Sequence, residues 1–151
     1  FIASKGLVHC DLAARNVLLF DNMVAKISDF GLCCSSDETF SYQASLNKKL
    51  PIKWLSLEVL LDRLFTEKSD VWSFGVLMYE MFSFGETPYA TMNNDELVMF
   101  LQSGGRLERP ANMDDVCYGI MLPCWNKDYL VRPGFMELEE KFGELINKYS
   151  A

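Results

Sequence analysis

The apolar positions along this chain change period three times, and each change predicts a different kind of element. Residues 17–20 (VLLF) and 23–27 (MVAKI) are short runs of branched and bulky apolar residues separated by Asp21-Asn22. That pair suits a two-residue turn, so the spacing predicts a small β-hairpin. Residues 28–50 have no period and are crowded with Ser, Thr, Gln, Asn and Asp, as in CCSSDETFSYQASLNKK, which predicts a long, mobile surface loop. From Ser69 the spacing turns helical. DVWSFGVLMYEMF is apolar on nearly every face, as befits a helix surrounded by others, and Ser69 is its expected N-cap. Three amphipathic helices are predicted over 95–102, stopped by Gly104-Gly105, over 114–125 and over 135–149. The last gathers Phe135, Leu138, Phe142, Leu145, Ile146 and Tyr149 on one face. The opening FIASKG reads as a final helical turn closed by a left-handed Gly6, which implies further chain upstream. There is no internal repeat.

Composition narrows the picture. The 151 residues suit one domain with one core, and the half of them that are hydrophobic argue against disorder. Lys and Arg number 14 against 21 Asp and Glu, a net charge of -7 that argues against a nucleic-acid partner. The five cysteines, Cys10, Cys33, Cys34, Cys117 and Cys124, are odd in number and contain no C-x-x-C pair. They fit reduced thiols in a cytosolic setting better than a disulfide scaffold or a zinc site. The longest nearly pure apolar run, 74–78, is too short to span a bilayer, and residues 1–19 lack a signal-peptide layout, so no membrane segment is expected in this chain.

Candidate chemistry concentrates in LVHCDLAARNVLL, residues 7–19, where Asp11 and Asn16 stand five apart. If Asp21-Asn22 is the turn, Phe20 faces Met23, Asn16 falls opposite Ile27, and Asp29 lies within a residue or two of Asn16. Each of Asp11, Asn16 and Asp29 alone is as readily an ordinary turn-former. Together they bring two carboxylates and an amide oxygen to one end of the hairpin, hard oxygen ligands that suit a Mg²⁺ ion shared with phosphates.

Six ordered motifs then carry a resemblance: HCDLAARN, DFG, LPIKW, SLE, SDVWSFG and CWNKDYLVRP. In that order and spacing the chain resembles the C-terminal lobe of a receptor-like protein tyrosine kinase over essentially its whole length. The resemblance implies a mainly α fold with a small β-hairpin and a helical bundle, half of a two-lobe α+β kinase domain. Residues 1–151 would then be a partial kinase domain with a catalytic loop at 7–19, an activation segment at 29–58 and a helical subdomain at 66–149. It implies transfer of the ATP γ-phosphoryl group to tyrosine hydroxyls of protein or peptide substrates, with Mg²⁺, or alternatively Mn²⁺, as the metal. Asp11 would accept or orient the hydroxyl proton, Arg15 would assist beside it, Asn16 and Asp29 would hold metal, and Leu18 would lie under the adenine. Pro51, Ile52, Lys53 and Trp54 would form the peptide shelf. His9 would stack with Phe30, Glu58 would pair with Arg132, Asp70 would accept backbone N–H bonds from the catalytic loop, and Tyr42 would be an activation-loop phosphosite. The setting implied is the cytoplasmic side of the cell, in a cytosolic protein or the inner part of a receptor.

Departures from the family pattern are Cys10 where an arginine is usual, Cys33 for alanine, Leu57 for proline and Gly134 for a capping Ser or Thr. Cys10 cannot pair with a phosphate, so phosphorylation of Tyr42 is expected to control the site weakly. Cys10 and Cys33 are candidate redox-sensitive thiols, with inert buried cysteines as the commoner alternative. No glycine-rich loop followed by a strand lysine occurs; SGGRLE follows a helix and stops it. The missing N-lobe is therefore an expected partner, the chain alone is expected to have little or no activity, and apolar surface left for that lobe should make it poorly soluble. The alternative reading is a non-catalytic kinase-like module that engages kinases or peptides.

Overall fold

The computed structural model describes residues 1–36 and 49–150. A 3₁₀ turn at Ala3–Lys5 is closed by Gly6 at φ 69°, whose N–H donates to the Ala3 carbonyl, as the opening residues lead one to expect. Strand β1 (Leu7–Val8) follows, then the loop carrying Asp11, then the hairpin of β2 (Val17–Phe20) and β3 (Val24–Ile27). The hairpin differs from expectation by one residue. Its connection is Asp21–Met23 rather than two residues, with Asn22 at φ 63° and Met23 at φ 61°, so Phe20 pairs with Val24 and Val17 with Ile27. Asn16 therefore lies opposite Ser28, whose N–H donates to its carbonyl at 2.7 Å.

The long loop expected over 28–50 falls largely on residues outside the described ones, as does Tyr42. Residues 28–33 are loop as expected, but the next two are not. Cys34–Ser35 forms β4, antiparallel to β1 with Leu7 opposite Ser35 and Val8 opposite Cys34. Two-residue strands leave no room for an alternation, which is why the sequence shows none.

Five α-helices follow: α1 (Leu57–Asp62), α2 (Glu67–Phe82), α3 (Asn94–Gln102), α4 (Asp115–Met121) and α5 (Phe135–Ser150). The N-cap of α2 is Thr66, three residues before the expected Ser69. Thr66 Oγ1 accepts from Lys68 N, and Ser69 Oγ accepts from Thr66 N at 2.9 Å, a reciprocal capping box. The expected helix over 114–125 is α4 capped by Asp114 and continued as a 3₁₀ turn at Leu122–Trp125, because Pro123 has no N–H to sustain the α ladder. Gly134 offers α5 no capping side chain; Glu67 of α2 does so instead, its Oε1 accepting from Phe135 N at 2.9 Å.

As its apolar sequence implies, α2 is central: Val71, Trp72, Val76, Leu77 and Met78 are buried, most of them in one cluster with Trp125, Leu97, Leu101, Met121 and Leu138. Gly75 is required there, since a Cβ would stand 2.6 Å from Trp125 Nε1. Trp72 lies between two guanidinium groups, Arg106 at 5.0 Å and Arg132 at 4.9 Å from its ring. On α5, Leu138 is buried and Phe135, Phe142 and Leu145 pack against the core, while Ile146 and Tyr149 at the far end of the predicted face are exposed. A second, smaller cluster joins Val8, Cys10 and Leu32 beneath the β1–β4 pair, with Cys34, Leu50 and Phe65 packed against it.

Candidate functional site

The loop from His9 to Asn16 has no regular ladder to hold it, so side chains from elsewhere take its backbone groups. Asp70, buried in the first turn of α2, accepts from His9 N at 2.6 Å and from Cys10 N at 3.0 Å. These two bonds hold Cys10 at φ 68°, a left-handed conformation that side chains with a Cβ rarely adopt. Burial raises the Asp70 carboxyl to about 6, and the two N–H donors only partly counter it. Further along, Glu80 of α2 reaches the loop from the other side, its Oε2 accepting from Ala14 N at 2.9 Å and from Trp54 Nε1 at 3.0 Å.

His9 ties the loop to the strand that leads to Asp29. Asp11 N–H donates to its Nδ1 at 3.2 Å, which puts the ring proton on Nε2, 2.9 Å from the Ser28 carbonyl it donates to. Its ring also meets Phe30 edge-on at 5.0 Å. Asn16 is buried, and its Nδ2 donates to the Asp11 carbonyl at 2.7 Å. Asp11 accepts an ion-pair hydrogen bond from Arg15 at Oδ1, and the Arg15 guanidinium rests on the Trp54 ring at 4.8 Å. Asp29, at φ 56°, is exposed, and its Oδ1 accepts from Gly31 N at 3.2 Å.

Asp11, Asn16, His9, Arg15 and Trp54 are thus joined by contacts, and Asp29 follows directly on Ser28, which bonds to both His9 and Asn16. Among the described residues no group of three or more His, Cys, Asp or Glu side chains is placed to hold a metal ion. The oxygens available are the exposed Asp29 carboxylate and the Asn16 amide, whose nitrogen is already committed to Asp11. They are hard donors of the type that suits a divalent metal completed by phosphate oxygens.

Pro51 precedes a 3₁₀ turn at Ile52–Trp54 that packs beside α2, and Lys53 Nζ donates to the Tyr89 carbonyl at 3.0 Å. Leu18 is half exposed on β2. Glu58 and Arg132 form a buried two-pronged pair, Nη1 to Oε1 at 2.6 Å and Nη2 to Oε2 at 2.8 Å. Glu80 was missed by sequence reasoning, although a carboxylate within an otherwise apolar helix is the signal that it bonds to something buried.

Residues 1–142 match the family model described as protein tyrosine and serine/threonine kinase. The chain belongs to this kinase family. It is 44% identical over 151 residues to vascular endothelial growth factor receptor 3 of Danio rerio, covering 99% of this chain and 11% of that protein. It is 43% identical to the tyrosine-protein kinase receptor torso of Bombyx mori, covering 100% of this chain and 19% of that protein. Against fibroblast growth factor receptor 1 of Pleurodeles waltl it is 41% identical over 146 residues, 97% of this chain and 18% of that protein. The chain thus spans between 11 and 19% of the length of these curated relatives. Kinases of this family use ATP and a divalent metal, and the mainly helical fold with its hairpin is that of a kinase segment. No helix among the described residues is long and apolar enough to cross a membrane.

Proposed function

We propose that this chain is the catalytic-loop and helical segment of a protein tyrosine kinase that phosphorylates tyrosine hydroxyls of protein substrates from ATP on the cytoplasmic side of the cell. The observation that carries it is the posture of Asp11: one carboxylate oxygen held by Arg15, its N–H on His9, its carbonyl on Asn16, and its neighbours clamped to Asp70. Phosphoryl transfer needs little covalent help from the protein and depends on positioning and charge. With Oδ1 taken by Arg15, Asp11 keeps Oδ2 to receive the proton of the tyrosine hydroxyl. Asn16 Oδ1 and the Asp29 carboxylate are the ligands for Mg²⁺, or for Mn²⁺, which supplies neutralisation of phosphate charge when bound. Leu18 gives the adenine an apolar floor. The turn at Pro51, Ile52, Lys53 and Trp54 is the peptide shelf, and it stays in register with Asp11 because Trp54 is shared between Arg15 and Glu80.

Tyr42 is the candidate phosphosite of the segment. Cys10 is buried, and its thiol faces the Val8 carbonyl and Cys34. It offers a phosphate no cation, so phosphorylation of Tyr42 changes activity little.

The test uses the full-length polypeptide that carries this sequence, assayed on a tyrosine-containing peptide. Asp11→Asn lowers the turnover about 10²–10⁴-fold while leaving the melting temperature in place. Transfer by this variant at the wild-type rate sinks the reading. Cys10 favours a second one, a non-catalytic kinase-like module, and a wild-type full-length protein that transfers no phosphate to any substrate is its signature.

A further inference from the structure

Two thiols from separate segments meet beneath the β1–β4 pair. Cys10 Sγ and Cys34 Sγ lie 3.5 Å apart, within hydrogen-bond range of one another. The register explains why this cysteine and not its neighbour arrives there. Cys34 stands opposite Val8, two residues before Cys10, and its sulfur, not that of Cys33 just before the strand, lies within hydrogen-bond range of Cys10. Cys10 is brought back under the strand by its left-handed φ of 68°, fixed by the Asp70 bond to its N–H. Cys10 is buried and Cys34 half-buried, so Cys34 is the more accessible residue of the pair.

We propose that Cys10 and Cys34 form a reversible intrachain disulfide that couples the segment after Asp29 to the loop that carries Asp11. The oxidant is hydrogen peroxide. The Cys34 thiolate attacks one peroxide oxygen, the O–O bond breaks, the departing hydroxide takes up a proton as water, and Cys34 becomes a sulfenic acid. Cys10 Sγ then attacks the Cys34 sulfur, the S–O bond breaks, and the leaving hydroxide carries off the Cys10 proton as a second water. Two thiols are oxidised and one peroxide is reduced to two waters. The hydrogen bond to Cys34, reinforced by burial, keeps the Cys10 thiol protonated far above the usual range. The Cys10 thiol also reaches the Val8 carbonyl at 3.5 Å, either sulfur can donate in the contact between the two cysteines, and Cys34 is the more accessible residue of the two.

The bond requires the sulfurs to close from 3.5 Å to about 2.05 Å. It joins a residue adjacent to Asp11 with one five positions beyond Asp29, so oxidation freezes the β1–β4 pairing between them. This inference does not depend on the kinase reading, because its readout is covalent.

The full-length polypeptide is treated with hydrogen peroxide, blocked with an alkylating reagent, digested with trypsin without reduction and analysed by mass. The expected product links the peptides spanning 6–15 and 27–48, is lost on reduction, persists in Cys33→Ser and is absent from Cys34→Ser. Cys34→Ser carries the test because the position is half-buried, and a wild-type melting curve shows that this variant is folded. Full alkylation of Cys10 and Cys34 after peroxide overturns the proposal. So does an undiminished link in Cys34→Ser, which would assign the chemistry to Cys33.

Discussion

Two arginine–carboxylate pairs, Arg132 with Glu58 and Arg15 with Asp11, are built on opposite principles. Arg132 meets Glu58 with both prongs of its fork at 2.6 and 2.8 Å, its side chain 0% exposed and that of Glu58 7%. Two more donors of the guanidinium are used, Nε on the Asn126 carbonyl at 2.8 Å and Nη1 also on the Lys68 carbonyl at 2.9 Å, with the plane resting on Trp72. Arg15 meets Asp11 with one nitrogen only, its side chain 45% exposed and that of Asp11 14%. The first pair is buried and held at both prongs, and it cannot exchange partners without leaving a charge in the core. The second leaves a carboxylate oxygen unclaimed and one face open to solvent, as the proton-accepting role proposed for Asp11 requires. The same two functional groups thus serve as a rivet in one place and as a movable part in the other, and burial decides which.

The largest effect that would break this contrast comes from the rivet. Glu58→Ala strands the Arg132 guanidinium where nothing else can solvate it, and removing one partner of a buried pair costs about 3–5 kcal/mol. For a chain of this size that lowers the melting temperature on the order of 10 °C. A melt that does not move would mean that Arg132 relaxes to water and that the pair is no different in kind from the exposed one.

Much of this division was legible beforehand, and the parts that were not share a physical reason. The contacts of His9 with Phe30, Arg15 with Asp11, Glu58 with Arg132 and Asp70 with the loop N–H groups are those the resemblance implies, whereas the bond from Asn16 to the Asp11 carbonyl was not expected. Helices α2 to α5 were visible from period, whereas the six residues of α1 are too few to show one. Caps and registers were less so: Ser69 and Thr66 are both good caps three residues apart, and the real arrangement uses both at once. The hairpin slipped by one because Asn22 and Met23 both adopt positive φ, which for Met23 no propensity rule anticipates. Strand β4, the Glu80 bonds to Ala14 and Trp54, and the contact of Cys10 with Cys34 are long-range facts. They depend on which side of a two-residue strand a side chain leaves, and a period cannot be read from two residues.

A smaller effect sharpens the comparison from inside the loop's anchor. Asp70 is buried like Glu58 but has N–H donors in place of a countercharge, and its carboxyl is raised to about 6. In the unfolded chain the same group loses its proton near 4. Between those values the folded state holds the extra proton, so the stability this group contributes is present below about pH 4 and lost as pH rises through about 6. The loss is on the order of 1–3 kcal/mol. Urea midpoints of wild type and Asp70→Asn, compared across this window, should differ in slope, with the variant lacking the decline. Parallel profiles would show that the two N–H bonds fully compensate burial.

The smallest effect belongs to the exposed pair. Arg15→Gln removes a one-pronged contact between side chains that water can reach, and such pairs are worth roughly 0–1 kcal/mol, less as salt is raised. The Trp54 face loses its stacked cation as well, about another 0.5–1 kcal/mol at an exposed site. Denaturant midpoints in low and high salt are therefore expected to fall by no more than about 2 kcal/mol in total, with the difference narrowing at high salt. If Arg15→Gln destabilised the chain as much as Glu58→Ala, Arg15 would be a structural rivet too. The freedom of Asp11 to take a proton would then have to come from somewhere other than the openness of its partner.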